Sequence, residues 1–411
     1  MEEWKEYRLG DICTKIGSGA TPKGGKEAYL GGNTSLIRSQ NVLDFSFSWD
    51  GLAYIDDEQA AKLNGVIIES GDVLLNITGD SVARSCVVPE SALPARVNQH
   101  VSIVRGEASI VLNDYILYFL QYKKPYLLSL SQGGATRNAL TKGMIEDLLI
   151  PLPSLSKQAE IVRVLKSLDD KIELNKRINE NLEQQAQALF KSWLVDFEPF
   201  KNGEFVESEL GMIPKGWIIK SLSEIADYVN GLAMQKYRPE DGEIGLPVLK
   251  IKELGQGGFD ANSELCSPSL IGEKYIINDG DIIFSWSGTL MVKIWCGGKC
   301  GLNQHLFNVV AKDYPKWFAY QWTRHHLDNF IRIAKDKAVT MGHIKRGELD
   351  KAKVLIPESH QMNTISDIMK PIHLQMISNE LESRRLAELR DTLLPKLMSG
   401  ELKVNEVEEC I

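Results

Sequence analysis

The chain has 411 residues, 43% hydrophobic and 25% charged, too long for one ordinary core and unlike a disordered, collagenous or disulfide-stapled chain. Its 47 Lys and Arg stand against 55 Asp and Glu, a net charge of −8, which excludes a uniformly basic nucleic-acid coat but leaves local basic patches open. The start, Met1 to Glu6, lacks the apolar segment of a secretory signal, and no run of about 18 apolar residues predicts a membrane span. Six scattered cysteines predict reduced thiols in a cytoplasm.

Read in chain order, the sequence repeats itself. Trp4, Leu9, Asp11 and Ile12 return as Trp217, Leu222, Glu224 and Ile225. Gly71-Asp72-Val73 returns as Gly280-Asp281-Ile282, Asn98-Gln99-His100 as Asn303-Gln304-His305, and Leu149-Ile150-Pro151 as Leu355-Ile356-Pro357. Four words in one order, at a drifting offset, predict a duplicated unit whose loops have changed length.

Each unit opens with short β-rich stretches punctuated by Gly, Pro and Asn, such as Gly65–Ile68 and Gly71–Ile77, matched by Lys274–Ile277 and Gly280–Trp286. An aromatic helix follows, Asp114–Leu120 in the first half and Trp317–Trp322 in the second. After Ile-Pro comes a long stretch nearly free of Gly and Pro. There Ile161, Leu165, Leu168, Ile172, Leu182, Ala186, Leu189 and Trp193 fall on one coiled-coil seam. Ile365, Ile368, Ile372, Leu386, Leu389 and Leu393 fall on the other, with Asn179 overlying Asn379, and Pro371 is expected to kink or restart that helix. The loop Phe197–Gly203 marks the boundary between halves. The expected segments are a globular unit at 1–153, a helical spacer at 154–200, a linker and second globular unit at 201–357, and a second spacer at 358–411.

A search for catalysis returns no complete motif. There is no Pro-Pro for an amino-methyltransferase motif. Ala20 and Lys293 stand where a phosphate-binding loop ending in Gly25-Lys26 or Gly298-Lys299 needs its first Gly. Cys296 and Cys300 have no second Cys/His pair at zinc-site spacing. The recurring Asn-Gln-His reads as a hydrogen-bonded structural turn. Charge is uneven: 208–357 carries net +2 while 1–153 carries −4, and Lys312–Lys353 interleaves ten basic residues with Trp317, Tyr320 and Trp322. The small-residue loop Ser18–Lys26, with Thr21 inside it, can bring backbone N–H groups to a phosphate.

Three stretches carry a resemblance across essentially the whole chain. They are Ala188-Leu189-Phe190-Lys191-Ser192-Trp193-Leu194-Val195-Asp196-Phe197, then Glu209–Trp217 (ELGMIPKGW), then Leu386–Leu397 (LAELRDTLLPKL). With Gly17-Ser18-Gly19-Ala20-Thr21-Pro22 they resemble the DNA specificity subunits of type I restriction-modification systems. The second half departs from that loop, reading Asn230-Gly231-Leu232-Ala233. The resemblance implies an α+β fold of two tandem α/β target recognition domains, each followed by a long helix, the helices pairing as an antiparallel coiled coil with pseudo-two-fold symmetry. It implies a non-catalytic chain that reads double-stranded DNA and docks two modification (methyltransferase) subunits, with restriction subunits joining and no membrane. S-adenosylmethionine, ATP and Mg are then expected on the partner subunits, and neither cofactor nor metal in this chain.

Because the halves differ, the expected target is asymmetric and bipartite. Loop position and side-chain type favour Ser18, Thr21, Lys23, Arg38, Arg84, Arg137, Asn138 and Lys142 for DNA contact in the first unit. In the second they favour Lys236, Arg238, Lys250, Lys293, His343, Lys345 and Arg346. Trp193 and Phe197 are expected to anchor a methyltransferase subunit. A tandem-domain scaffold and a stand-alone DNA-binding regulator are the other readings the sequence allows.

Overall fold

The computed structural model describes residues 4–22, 29, 31–132, 138–336 and 343–408. The chain forms two compact units, one from Met1–Lys171 with Leu386–Ile411 and the other from Ile172–Arg385. The division runs through both long helices, Leu155–Phe190 (36 residues) and Ser359–Met398 (40 residues). At 1.5 Å per residue these helices are about 54 and 60 Å long.

In the first unit an antiparallel sheet orders Cys13–Ser18, Val101–Gly106, Val73–Asn76 and Ser85–Val87. Val73–Asn76 is buried along its whole length, which is why it reads as a continuous apolar run instead of an alternating one. A second sheet orders Ala53–Ile55, Thr34–Ile37 and Ala95–Val97, the last pair parallel. Lys5–Arg8 pairs with Leu149–Leu152, placing Tyr7 opposite Ile150. The aromatic helix, Asn113–Tyr122, buries Tyr115, Ile116, Phe119 and Leu120 in the same core as Ile161, Leu165, Leu393 and Leu397 of the long helices. That core is tied by a polar triad. Asp169 accepts from Tyr118 Oη at 2.7 Å and from Arg390 Nη1 at 2.7 Å, while the Arg390 guanidinium lies 3.7 Å over the Phe45 ring.

The second unit uses the same plan. Its antiparallel sheet orders Ala226–Asn230, Leu306–Ala311, Ile282–Ser285 and Met291–Ile294. The second sheet orders Leu265–Cys266, Leu246–Leu249, Cys300–Leu302 and Ile276–Ile277. Ile218–Ser221 pairs with Lys353–Ile356, and the aromatic helix is Lys316–His325. The Gly-Asp word is the same turn in both units. Gly71 and Gly280 take φ of +82° and +88°, and Asp72 and Asp281 each accept the backbone N–H three residues earlier, at 2.8 and 2.9 Å.

Within this unit the long helices run antiparallel, since Asn175 donates to Glu382 and Asn179, one turn on, donates to the Met376 carbonyl one turn and a half back. Three expectations are corrected. Ser359–Met398 is one continuous helix through Pro371. Met369 and His373, two residues to either side of Pro371, are buried, and tertiary packing of this kind supplies most of a helix's stability, against the single N–H that proline lacks. Ile368 and Leu389 are 42% and 36% exposed, and Met362, Met369, Asn379 and Arg390 take the buried face in their stead. The stretches Gly65–Ile68 and Lys274–Ile277 are mostly tight turns, with the single short strand Ile276–Ile277.

Candidate nucleic-acid interface

The Asn-Gln-His turn is the point where several elements of each unit meet. In the first unit Asn98 is buried, its N–H bonded to the Ile37 carbonyl at 3.1 Å and its Oδ1 accepting the His100 N–H at 3.0 Å. Asn303 repeats this with the Leu249 carbonyl at 3.1 Å and the His305 N–H at 3.3 Å. The asparagine is thus structural, as expected of a side chain that caps its own turn. Its two neighbours are not buried with it. Gln99 is exposed, and His100 is half-buried.

A glycine lets a second loop run beside this turn. A Cβ on Gly19 would lie 1.7 Å from the Val97 carbonyl oxygen, and one on Gly231 would lie 2.2 Å from that of Asn303. The second-half loop that departs in sequence therefore keeps the one residue the close approach requires. Two residues past the glycine the units differ. Thr21 Oγ1 donates to Gln99 Oε1, whereas Ala233 stands in its place in the other unit.

A third loop closes over the turn. Thr78 is bridged to Ala139, and the Gly79 N–H bonds the Asn138 carbonyl at 3.0 Å. In the other unit Ser287 is bridged to His343, and the Ile344 N–H bonds the Trp286 carbonyl at 3.2 Å. Thr78 Oγ1 is 2.6 Å from His100 Nδ1. The Trp286 indole donates to Asn230 Oδ1 at 3.0 Å and meets the His305 and His343 rings at 6.1 and 6.4 Å.

Arg38 and Lys250 each follow the residue that holds the turn's asparagine, so they occupy the same place in the two units. Arg38 donates to the Gly51 carbonyl and lies 5.8 Å from the Tyr29 ring centre. Lys250 and Arg238 share Glu264 at 2.5 and 2.7 Å, and the lysine's hydrogen bond, with the arginine beside it, holds that carboxyl below its ordinary value. Lys142 and Arg346 occupy the start of the short helices Lys142–Glu146 and Gly347–Lys351. Lys142 is 3.3 Å from Glu146, and Arg346 Nη2 donates to the Tyr228 carbonyl at 2.6 Å.

The structure thus gathers Ser18, Thr21, Arg38 and Asn138 beside one turn, with Arg84 at the base of the Thr78 loop, and Lys250, His343, Lys345 and Arg346 beside the other. Lys293 does not join them, because its ammonium is turned to the Gly255 carbonyl at 2.9 Å. Lys236 is exposed on the turn Met234–Lys236. Lys23 and Arg137 lie outside the described residues. Phe197, in a left-handed conformation, packs edge-on against Trp217 at 5.4 Å, and Trp193 is half-buried against the same core. Gln99, Thr78 and Trp286 also stand at these turns and are not among the residues that charge and loop position favour. The signal was the recurrence of Asn-Gln-His itself, which one buried residue explains only in part.

Among the described residues no cluster of three His, Cys, Asp or Glu is placed to hold a metal ion, and no helix is long and apolar enough to cross a membrane. Burial pushes the Cys296 thiol up to about 12, so it stays protonated.

Comparison with known proteins points one way. The model of the type I restriction modification DNA specificity domain matches residues 1–184 and 214–390. The chain is 27% identical to the specificity subunit of the type I restriction enzyme MjaIX of Methanocaldococcus jannaschii, over 99% of this chain and 95% of that one. It is 24% identical to the HindI specificity subunit of Haemophilus influenzae, over 98% and 100%. The crystal structure of the type I restriction-modification S subunit of M. genitalium shares the fold, at 13% identity with a TM-score of 0.51, and covers 96% of each chain.

Proposed function

The chain belongs to the family of type I restriction-modification DNA specificity proteins, and we propose that it reads an asymmetric, two-part duplex target for modification subunits docked on it. The observation that carries this reading is the equivalent arrangement in both units. Each has a buried asparagine holding a turn, a glycine admitting a second loop, a bridged third loop and a basic residue at the strand end. Equivalent scaffolds carrying unlike side chains, Thr78 against Ser287 and Ala139 against His343, suit two half-sites of different sequence.

Arg38, Arg84, Lys142, Lys250, Lys345 and Arg346 hold the duplex through its phosphates, while Ser18, Asn138 and His343 face base edges and Thr21 braces Gln99 beside them. The chain itself performs no chemical step. S-adenosylmethionine, ATP and Mg act on the modification and restriction subunits, and the assembly works in the cytoplasm. Trp193 contributes to a modification-subunit contact, and Phe197 supports it from within the core.

The test is duplex binding by the full chain with its modification subunits across a salt series, joined to mapping of the methylated sites. Binding that weakens steeply with salt, with methylation at one split sequence, is expected. Salt-insensitive binding, or methylation without a fixed sequence, would overturn the reading and favour a protein scaffold.

A further inference from the structure

We propose that Gln99 reads an adenine in the major groove of the first unit's half-site, and that Thr21 positions it. This deepens the DNA-reading function proposed above and rests on it. A glutamine amide recognises adenine by accepting from N6 and donating to N7 at once, which demands that its two ends be correctly assigned and held. Gln99 meets both demands. Thr21 Oγ1, a donor here, fixes Oε1, and Gln99 Nε2 donates to His100 Nε2 at 3.0 Å. With that nitrogen accepting, the imidazole proton sits on Nδ1 and is given to Thr78 Oγ1 at 2.6 Å.

The relay uses one lone pair on Oε1 and one hydrogen on Nε2. It leaves one of each, on a side chain that is exposed. A solvent-facing glutamine ordinarily samples many rotamers, and ordering it on binding offsets part of what its hydrogen bonds contribute. Two loops here have ordered it in advance.

The second unit shows what happens without the threonine. Ala233 has no hydroxyl, and Gln304 Oε1 is buried with no hydrogen-bond partner among the described residues. Gln304 Nε2 reaches His305 only at 3.4 Å, and His305 Nδ1 is likewise without a partner. The same Asn-Gln-His word therefore presents an organised amide in one unit and an unorganised one in the other. Gln99 is a base reader, and Gln304 is not its equal.

The experiment is selection of methylated duplexes from a randomised library by the full chain with its modification subunits, comparing wild type with Gln99→Ala, Gln99→Glu and Thr21→Val. Gln99→Ala is expected to lower discrimination at one adenine of one half-site by about 10–100-fold, with the other half-site, the melting temperature and non-specific affinity unchanged. Gln99→Glu, which retains shape but only accepts, shifts that position toward cytosine. Thr21→Val weakens the same position by a smaller factor and no other. If wild type selects a sequence and Gln99→Ala and Gln99→Glu select the same one as stringently, the inference fails while the DNA-reading function stands. If wild type selects none, that function fails. Should Gln99→Ala not fold, Gln99→Glu decides alone.

Discussion

Asn379 Nδ2 donates to Asn179 Oδ1 at 2.9 Å, so two residues at matching places in the two long helices bond to each other. A polar pair at such a seam lowers stability yet restricts register. Around it Asn175 is buried and bonded to Glu382, so the middle of this helix pair is held by amides where leucines are more usual.

Replacing one member should therefore cost more than replacing both. Asn379→Leu leaves Asn179 Oδ1 unpaired and is expected to destabilise the chain by about 1–3 kcal/mol. Asn179→Leu with Asn379→Leu should recover much of that, and a urea-denaturation cycle measures the difference. Simple additivity would show that the amides are independent.

A buried histidine, His373, and a half-buried one, His326, predict an acid limit in the second unit. Burial lowers His373 and His326 to about 4, from an ordinary value near 6.5. His373 accepts from Gln321 Nε2 at 3.1 Å and faces the edge of Tyr320, so it is held neutral. The unfolded chain takes up its protons first as pH falls below about 6.5. Stability should then drop by roughly 1.4 kcal/mol per pH unit per histidine until about pH 4. Urea midpoints between pH 7.5 and 4.5 should fall less steeply for His373→Gln. Parallel curves would contradict this.

The close approach at the two glycines predicts a local failure. Gly19→Ala and Gly231→Ala each drive a methyl into a backbone carbonyl, at 1.7 and 2.2 Å in the present geometry. Each should cost about 2 kcal/mol or more and spoil recognition of its own half-site only. Site-selection with each variant checks this, and loss of both half-sites together would refute it.

Glu264 currently neutralises two cations beside the second unit's turn. Glu264→Gln should strengthen duplex binding at low salt without altering the sequence chosen, and steepen the salt dependence by about one unit. Fluorescence anisotropy across a salt series tests it. An unchanged slope would place Lys250 and Arg238 away from the phosphates.

The elements were legible where a strong period or a repeated word carried them. Asn113–Tyr122, Lys316–His325 and both long helices lie where the aromatic and 3-4 patterns put them. Ile368 and Leu389 were not, because a seven-residue pattern identifies a stripe and cannot tell which edge of it faces a neighbour. The candidate site was half legible. Charge and loop position favour Arg38 and Lys250, but Asn98 and Gln99 are adjacent letters with opposite fates, separated by the bonds Asn98 makes to Ile37 and His100. Lys293 has the right charge and the wrong surroundings, since a carbonyl 38 residues away claims its ammonium.

The core holding Leu9, Tyr115 and Leu165 also holds Leu393, Leu397 and Val404, and the Gly400 backbone lies against the Trp4 indole. On a ribosome the opening half of this protein must therefore wait, its apolar face uncovered, until the closing residues emerge.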